Sequence, residues 1–420
     1  MRLTRSFLGV TAASVAALSI GGAATAAEGH PPTARQSRSV PLEHTVFTNP
    51  YIDSGRQIND ELVKLIIGAA SGSDIEMTAF DFSDDSTRPV ADALAKAHQA
   101  NGVHVRIVAN GTLAGTSMIG DLAKSLKGDA KSWVRYCDAS STDHACIGGN
   151  LPGHEDAFMH NKFYLFSDTL GAGKVVAQSS ANLSDSSGPQ MWNSLYAVSD
   201  AGLHSAYHTY FTDLASRKKD ADYYHSAHGT ATTGRFKVYH APRGARSGEK
   251  QNTAYNILGN VQCTGNTSGG TSDNHRTIIR VAMWQFSSEA GKQIAKRLWD
   301  LDKKGCYVDV VAGHLKDGTK DILLKKAGGY HGPEVREFTG SPGLHQKTML
   351  IDGHYAGAKN QKVVFNGSYN FTFKSLREND ETWLRVKSAD VHTAFKKNFW
   401  TVQCAPKVKT WQATKDPCAV

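Results

Sequence analysis

His160-Asn161-Lys162-Phe163-Tyr164-Leu165-Phe166 and His345-Gln346-Lys347-Thr348-Met349-Leu350-Ile351-Asp352 are the two stretches on which the reading of this chain turns. Each sets a His-x-Lys string before an apolar run, and each is followed by a small-residue element, Ser179-Ser180-Ala181-Asn182 in the first case and Gly367-Ser368-Tyr369-Asn370 in the second. The histidine precedes the Ser-x-Asn serine by 20 residues in one copy and 23 in the other, a difference that a loop between two strands absorbs. Two such strings in one chain point to an internal duplication with one shared centre.

The repeat continues upstream. Ala79-Phe80-Asp81-Phe82-Ser83 has its counterpart 204 residues later in Met283-Trp284-Gln285-Phe286-Ser287. A helical pattern follows each at the same offset, with Val90, Leu94 and Ala97 in one copy and Ile294, Leu298 and Leu301 in the other on a single face. The helices are expected to end near Asn101-Gly102 and Gly305, where glycine suits a left-handed cap. Short strands come next, over 103–108 and 306–311. Each half therefore reads as strand, helix, strand, His-bearing strand and further strand. The expected fold class is α/β, with two pseudo-symmetric lobes each built on a mixed sheet flanked by helices.

A third string, His314-Leu315-Lys316 followed by Asp321, also fits a His-x-Lys-x4-Asp pattern. Its intervening residues, Asp317 to Lys320, form a polar turn, and no Ser-x-Asn element follows at repeat spacing. It is read as a surface loop.

With 420 residues, 40% hydrophobic and 20% charged, the chain is long enough for two domain-sized cores. Residues 1–27 carry Arg2 and Arg5, an apolar stretch from Phe7 to Ile20 and a small-residue cleavage site at Ala24-Thr25-Ala26, the pattern of an export signal. No other run approaches the ~20 apolar residues that span a bilayer, so a secreted protein is expected. The six cysteines suit an oxidising destination. Proximity pairs Cys137 with Cys146 and Cys404 with Cys418, leaving Cys263 for Cys306, although about 15 pairings are formally possible. The organisation expected after the leader is an N-terminal lobe over 42–217, a connecting segment over 218–250 that lacks clear periodicity, a C-terminal lobe over 251–405 and a tail over 406–420. The duplication already supplies the symmetry that a dimer would give, and a monomer is expected.

Two histidines, two lysines and two Ser/Asn elements suit a phosphodiester. Cleaving one needs a nucleophile, a proton donor for the leaving alcohol and positive charge around the phosphoryl oxygens. One imidazole attacks phosphorus and the other protonates the leaving oxygen. Lys162, Lys347, Asn182, Asn370 and the hydroxyls of Ser180 and Ser368 hold the oxygens, with the lysines in the place of a divalent ion. No metal and no cofactor is expected.

On these residues the chain resembles the phospholipase D superfamily, whose signature is a pair of His-x-Lys-x4-Asp motifs, each followed by Gly-Ser-x-Asn. The resemblance runs from about Thr45 to Val402. It implies a bilobal fold with the active site between lobes, a phosphohistidine intermediate, no metal requirement and a place for Asp352 in the second motif. The first motif departs from the pattern: Ser167 stands where the family has Asp, with Asp168 one residue late, and Ser179 replaces glycine. A one-residue shift along a strand reverses a side chain's facing.

Eleven residues after Asn182 lies Asn193, and eleven after Asn370 lies Glu381. In the resembling family the residue at this place reaches across the interface to the other half's histidine, so Glu381 would orient His160 and Asn193 would orient His345. A carboxylate stabilises a cationic imidazole and an amide does not. This makes His160 the nucleophile and His345 the general acid.

The formal charge of +8 favours an anionic partner. The reading preferred is a secreted phospholipase D that acts on a phospholipid membrane surface, cleaving phosphatidylcholine to phosphatidate and choline. The alternatives are an extracellular metal-independent nuclease and a non-catalytic phosphate- or lipid-binding protein. Phe80, Trp192, Trp284 and Trp383 are placed near the mouth of the site, although core packing is the favoured reading for Trp284 and Trp383.

Overall fold

The computed structural model describes residues 41–83, 85–140, 142–245, 252–414 and 416–418. The export signal expected over 1–27 lies outside the described residues. No helix among the described residues is long and apolar enough to cross a membrane.

Each lobe is built on one mixed sheet. The N-terminal sheet runs in the spatial order Glu43–Thr48, Asn193–Ser199, Ala172–Ser179, Phe163–Thr169, Asp74–Ala79, His104–Ala109 and Trp133–Tyr136. The C-terminal sheet runs Thr230–Thr233, Phe236–Ala241, Glu381–Lys387, Ala358–Gly367, Lys347–Tyr355, Ile278–Phe286, Tyr307–Leu315, Glu334–Phe338 and Val408–Gln412. In both, the first strand of the sequence repeat pairs in parallel with the strand after its helix and antiparallel with the His-bearing strand. Strands covered on both faces carry near-continuous apolar runs, and five of the six residues of Asp74–Ala79 are buried accordingly.

The superposed orders correct the expected connection over 218–250. Phe236–Ala241 pairs with Glu381–Lys387 just as Glu43–Thr48 pairs with Asn193–Ser199, so it is the edge strand of the second repeat. Phe236, Val238 and His240 are buried in alternation within it, but Tyr239 and Ala241 are buried as well, which blurs the period.

The helices predicted from the repeat are present as Arg88–Asn101 and Ser288–Lys303. Val90, Leu94, Ala97, Ile294, Leu298 and Leu301 are all buried. Gly102 caps the first helix in the left-handed conformation, φ 63°. Two further helices occupy the space between the lobes. Ala201–Ser216 and Ala389–Gln403 are capped alike, the Asp200 carboxylate accepting from the Leu203 N–H and the Ser388 hydroxyl from the Val391 N–H. Tyr207, Tyr210, Phe211, Phe395 and Phe399 on these helices share one apolar cluster with Phe163 and Leu165 of one sheet and Leu350 and Leu384 of the other. That shared core fixes the lobes against each other. All three expected disulfides are formed, Cys137–Cys146, Cys263–Cys306 and Cys404–Cys418.

The two Ser-x-Asn elements are not sterically equivalent. A Cβ on Gly367 would lie 2.1 Å from the Thr382 carbonyl oxygen. At the matching place Ser179 is accommodated, its hydroxyl donating to the Ser194 carbonyl and accepting the Ala181 N–H. Overpacking of a closed site costs about 1–3 kcal/mol. Gly367→Ser, which copies the first repeat into the second, should therefore lower the calorimetric unfolding midpoint, whereas Ser179→Ala should shift it less.

Candidate active site

His160 and His345 each sit immediately before a strand, Phe163–Thr169 and Lys347–Tyr355, in the segment where each lobe meets the other. Their backbones are tied across the interface: the His160 N–H donates to the Asp380 carbonyl at 2.9 Å and the His345 N–H to the Trp192 carbonyl at 2.8 Å. Both imidazoles are almost wholly buried.

The side chains are tied in the same way. His160 Nδ1 lies 2.9 Å from each carboxylate oxygen of Glu381, and His345 Nδ1 lies 3.0 Å from Asn193 Oδ1. The orientation of the Asn193 amide is fixed, because its Nδ2 faces the carbonyls of Ser187, Gly188 and Met191. With an acceptor at each Nδ1, both rings carry their proton there and turn Nε2 towards the reaction space.

Lys162 and Lys347 are buried, each donating from Nζ to its own motif's histidine carbonyl at 2.6 Å. Burial pushes the Lys162 ammonium down to about 7, opposed by Glu381 and Asp81. Lys347 is pushed well below its ordinary value by burial and by Lys162. Burial also lowers His160, to about 4, with Glu381 opposing and Lys162 and Lys347 reinforcing the fall. His345 is driven well down by burial and by Lys347 and Lys162. Glu381 is held below its usual value although burial alone would raise it, with the His160 ring as the largest opposing influence. Burial thus disfavours charge on both lysines and both imidazoles, while the Glu381 carboxylate keeps its charge. An anion bound between the lysines relieves their repulsion and raises the proton affinity of His345.

The structure corrects three assignments. Asp352 stands five residues beyond Lys347 on one strand, and side chains alternate along a strand, so the two face opposite ways. The Asp352 carboxylate accepts the Gly270 N–H and pairs with Lys362, and it takes no part in the histidine centre. Ser167, its counterpart, accepts the Asp74 N–H, so neither motif delivers its eighth residue to the site. Ser180 and Ser368, expected to hold phosphate, are engaged elsewhere: Ser180 donates to Asn193 Oδ1, and the Ser368 hydroxyl is shared between the Thr382 carbonyl and the Glu381 carboxylate. They brace the orienting strands instead. His314 is not on a surface loop. It is the last residue but one of the strand Tyr307–Leu315 and stands edge-on to Trp284, with ring centroids 4.4 Å apart.

Asn370 lines the cavity beside His160, while Asn182 donates from Nδ2 to Ser187 Oγ at 2.6 Å. That cavity measures 430 Å³ and is walled by Phe80, Phe158, Trp284, Phe373 and Lys374. A second, of 510 Å³, lies across Trp284 and is lined by Met191, Phe338, His314 and Gly343. Trp284, which lies 5.5 Å from the His345 ring, is thus a shared wall. Trp383 and Trp192 are buried in the cores. Among the described residues, the His, Cys, Asp and Glu atoms close enough to share an ion are those of Cys137, Cys146 and Asp380, and both sulfurs are already bonded to each other.

Two solved structures share the fold at low identity. The phosphatidylserine synthase of Haemophilus influenzae Rd KW20 is 12% identical with a TM-score of 0.56, over 84% of this chain and 85% of that one. The polyphosphate kinase of Porphyromonas gingivalis is 12% identical with a TM-score of 0.55, over 89% of this chain, which spans about half, 49%, of the kinase. No curated protein matches. A family model described as "Cardiolipin synthase, PLD-like domain" matches residues 62–215 and 273–403, more than half of the chain. With the duplicated histidine motifs brought together between two like lobes, that match shows that the chain belongs to the phospholipase D superfamily.

Proposed function

We propose that the protein is a secreted phospholipase D, which hydrolyses the headgroup phosphodiester of phospholipids such as phosphatidylcholine to phosphatidate and the headgroup alcohol. The observation that carries the reading is the unequal pairing of the two histidines, one with a carboxylate and one with an amide. His160 Nε2 attacks phosphorus while the P–O bond to the headgroup breaks, and the departing oxygen takes the proton from His345 Nε2. The Glu381 carboxylate stabilises the positive charge that grows on His160 as the P–N bond forms. Water then attacks phosphorus, gives its proton to His345 and releases His160. Lys162 and Lys347 balance the phosphoryl oxygens throughout.

Several features support a lipid. The two cavities flanking the histidines have aromatic and aliphatic walls that suit an amphiphile's apolar parts, and the chain is basic. One of the similar folds is a phosphatidylserine synthase, and the family model is described by cardiolipin synthase. The three disulfides and the leader-like residues 1–27 support export.

Choline release from phosphatidylcholine vesicles, followed beside degradation of single-stranded and duplex DNA with and without chelator, tests the substrate. Lipid cleavage that persists with chelator is expected. DNA cleavage without lipid cleavage overturns the lipid assignment in favour of a nuclease, and neither activity leaves a binding protein. His160→Ala and His345→Ala should each abolish turnover with the thermal midpoint kept.

The site's electrostatics set the pH profile. His160 attacks only when neutral, so kcat/KM should rise with pH through about 4. It should fall as His345 loses its proton, which burial and the two lysines place well below the ordinary imidazole range, and fall further as pH climbs through about 7, where Lys162 gives up its charge. Glu381 holds His160 and Lys162 up, so Glu381→Gln should move the acid limb and the Lys162 step to lower pH and slow turnover by about 10⁴, the scale seen when a histidine's carboxylate partner becomes an amide. Limbs that stay in place would show that Glu381 does not act on these groups.

A further inference from the structure

Asp380, next to Glu381, is fully buried and belongs to the C-terminal lobe, yet its carboxylate is held by the other lobe. Its oxygens accept three successive backbone amides, those of Cys146 at 2.6 Å, Ile147 at 3.1 Å and Gly148 at 2.6 Å. The Cys137–Cys146 disulfide closes the loop that presents these amides. Gly148 lets the loop approach this closely, since a Cβ there would lie 2.0 Å from the Glu378 carbonyl oxygen, and the Gly149 N–H donates to that same carbonyl at 3.0 Å.

The backbone of Asp380 is pinned as well. Its N–H donates to the Phe158 carbonyl and its carbonyl accepts the His160 N–H, both at 2.9 Å. One residue is therefore fixed at three points to the lobe that carries His160, immediately before the residue that orients His160.

The repeat shows that the carboxylate is not needed to join the lobes. Trp192 occupies the matching place before Asn193, with the same backbone pairing: its N–H donates to Gly343 and its carbonyl accepts from His345. There an apolar side chain packs in a core and rests against Tyr51. A buried carboxylate costs several kcal/mol unless its hydrogen bonds are complete. Burial pushes Asp380 up to about 7 against the pull of these amides, and what the side chain adds over packing is direction, because bonds to three fixed amides hold one geometry. The carboxylate clasp stands on the side of the nucleophilic histidine.

We infer that Asp380 is a positioning residue, which uses the disulfide-closed amide nest at 146–148 to hold the Glu381 carboxylate in register with His160. The inference rests on the phosphohistidine reading of the site. Misplacement of a catalytic group by about 1 Å can cost about a hundredfold in rate. Asp380→Asn keeps the shape and turns an NH2 towards the amides. It should lower kcat by about a hundredfold with KM nearly unchanged.

A double-mutant cycle separates positioning from general damage. In a Glu381→Gln background, Asp380→Asn should cost less than about threefold, because the residue through which it acts is already gone. Equal losses in both backgrounds would overturn the inference. A second readout needs no turnover: the low-field proton resonance of His160 Nδ1, assigned by its absence in Glu381→Gln, should broaden or vanish in Asp380→Asn and in Cys137→Ser/Cys146→Ser. An unchanged resonance in either folded variant contradicts the clasp, and so does failure of both variants to fold, which would make it a folding element. A native protein inert towards phosphodiesters that nevertheless shows this change would refute the proposed function and leave the clasp standing.

Discussion

Each catalytic-type imidazole in this protein is oriented by a side chain from the opposite lobe, and the rest of the architecture depends on that exchange. His160 is held by Glu381 and His345 by Asn193, so neither lobe holds a complete centre by itself. The exchange needs the lobes fixed to within a few tenths of an ångström. The apolar layer formed by the helices Ala201–Ser216 and Ala389–Gln403 between the two sheets provides that rigidity. Gln346 and Asn161, the middle residues of the two motifs, reach into this layer, Gln346 to Asn398 and Asn161 to Tyr210.

The duplication provides the symmetry, and the chemistry comes from its loss. Carboxylate against amide, Asp380 against Trp192 and Ser179 against Gly367 all distinguish the two copies at places next to the histidines. Burial makes these differences matter. In water the exchange of a carboxylate for an amide beside an imidazole would be largely screened, whereas in a buried site it decides which ring can bear positive charge. The same burial depresses both lysines, so that an anion between them is favoured by the relief of their repulsion.

Much of the fold and the centre of the site were legible in the sequence because the repeat made each copy a check on the other. His160 and His345 follow from matched spacing, the resemblance implies Glu381 and Asn193 as their cross-interface partners, and the structure places each pair in contact. The misreadings have physical causes. The resemblance gives Asp352 a place in the second motif, and the alternation of a strand turns it to the other face. Ser180 and Ser368 lie near the site, but a hydroxyl has one proton and sequence does not show where it goes. The edge strand Phe236–Ala241 is buried at adjacent as well as alternate positions and so lacks a clean period. Asp380 has Trp192 as its counterpart, so the repeat does not mark it: the two copies differ at this place.

The central claim is that the asymmetry assigns roles: His160 forms the covalent bond to phosphorus and His345 moves the proton. Rapid acid quenching during turnover of a phosphorus-labelled lipid, followed by peptide mapping, reads this directly. The account predicts label on His160 in the native protein. Label on His345 alone would contradict it.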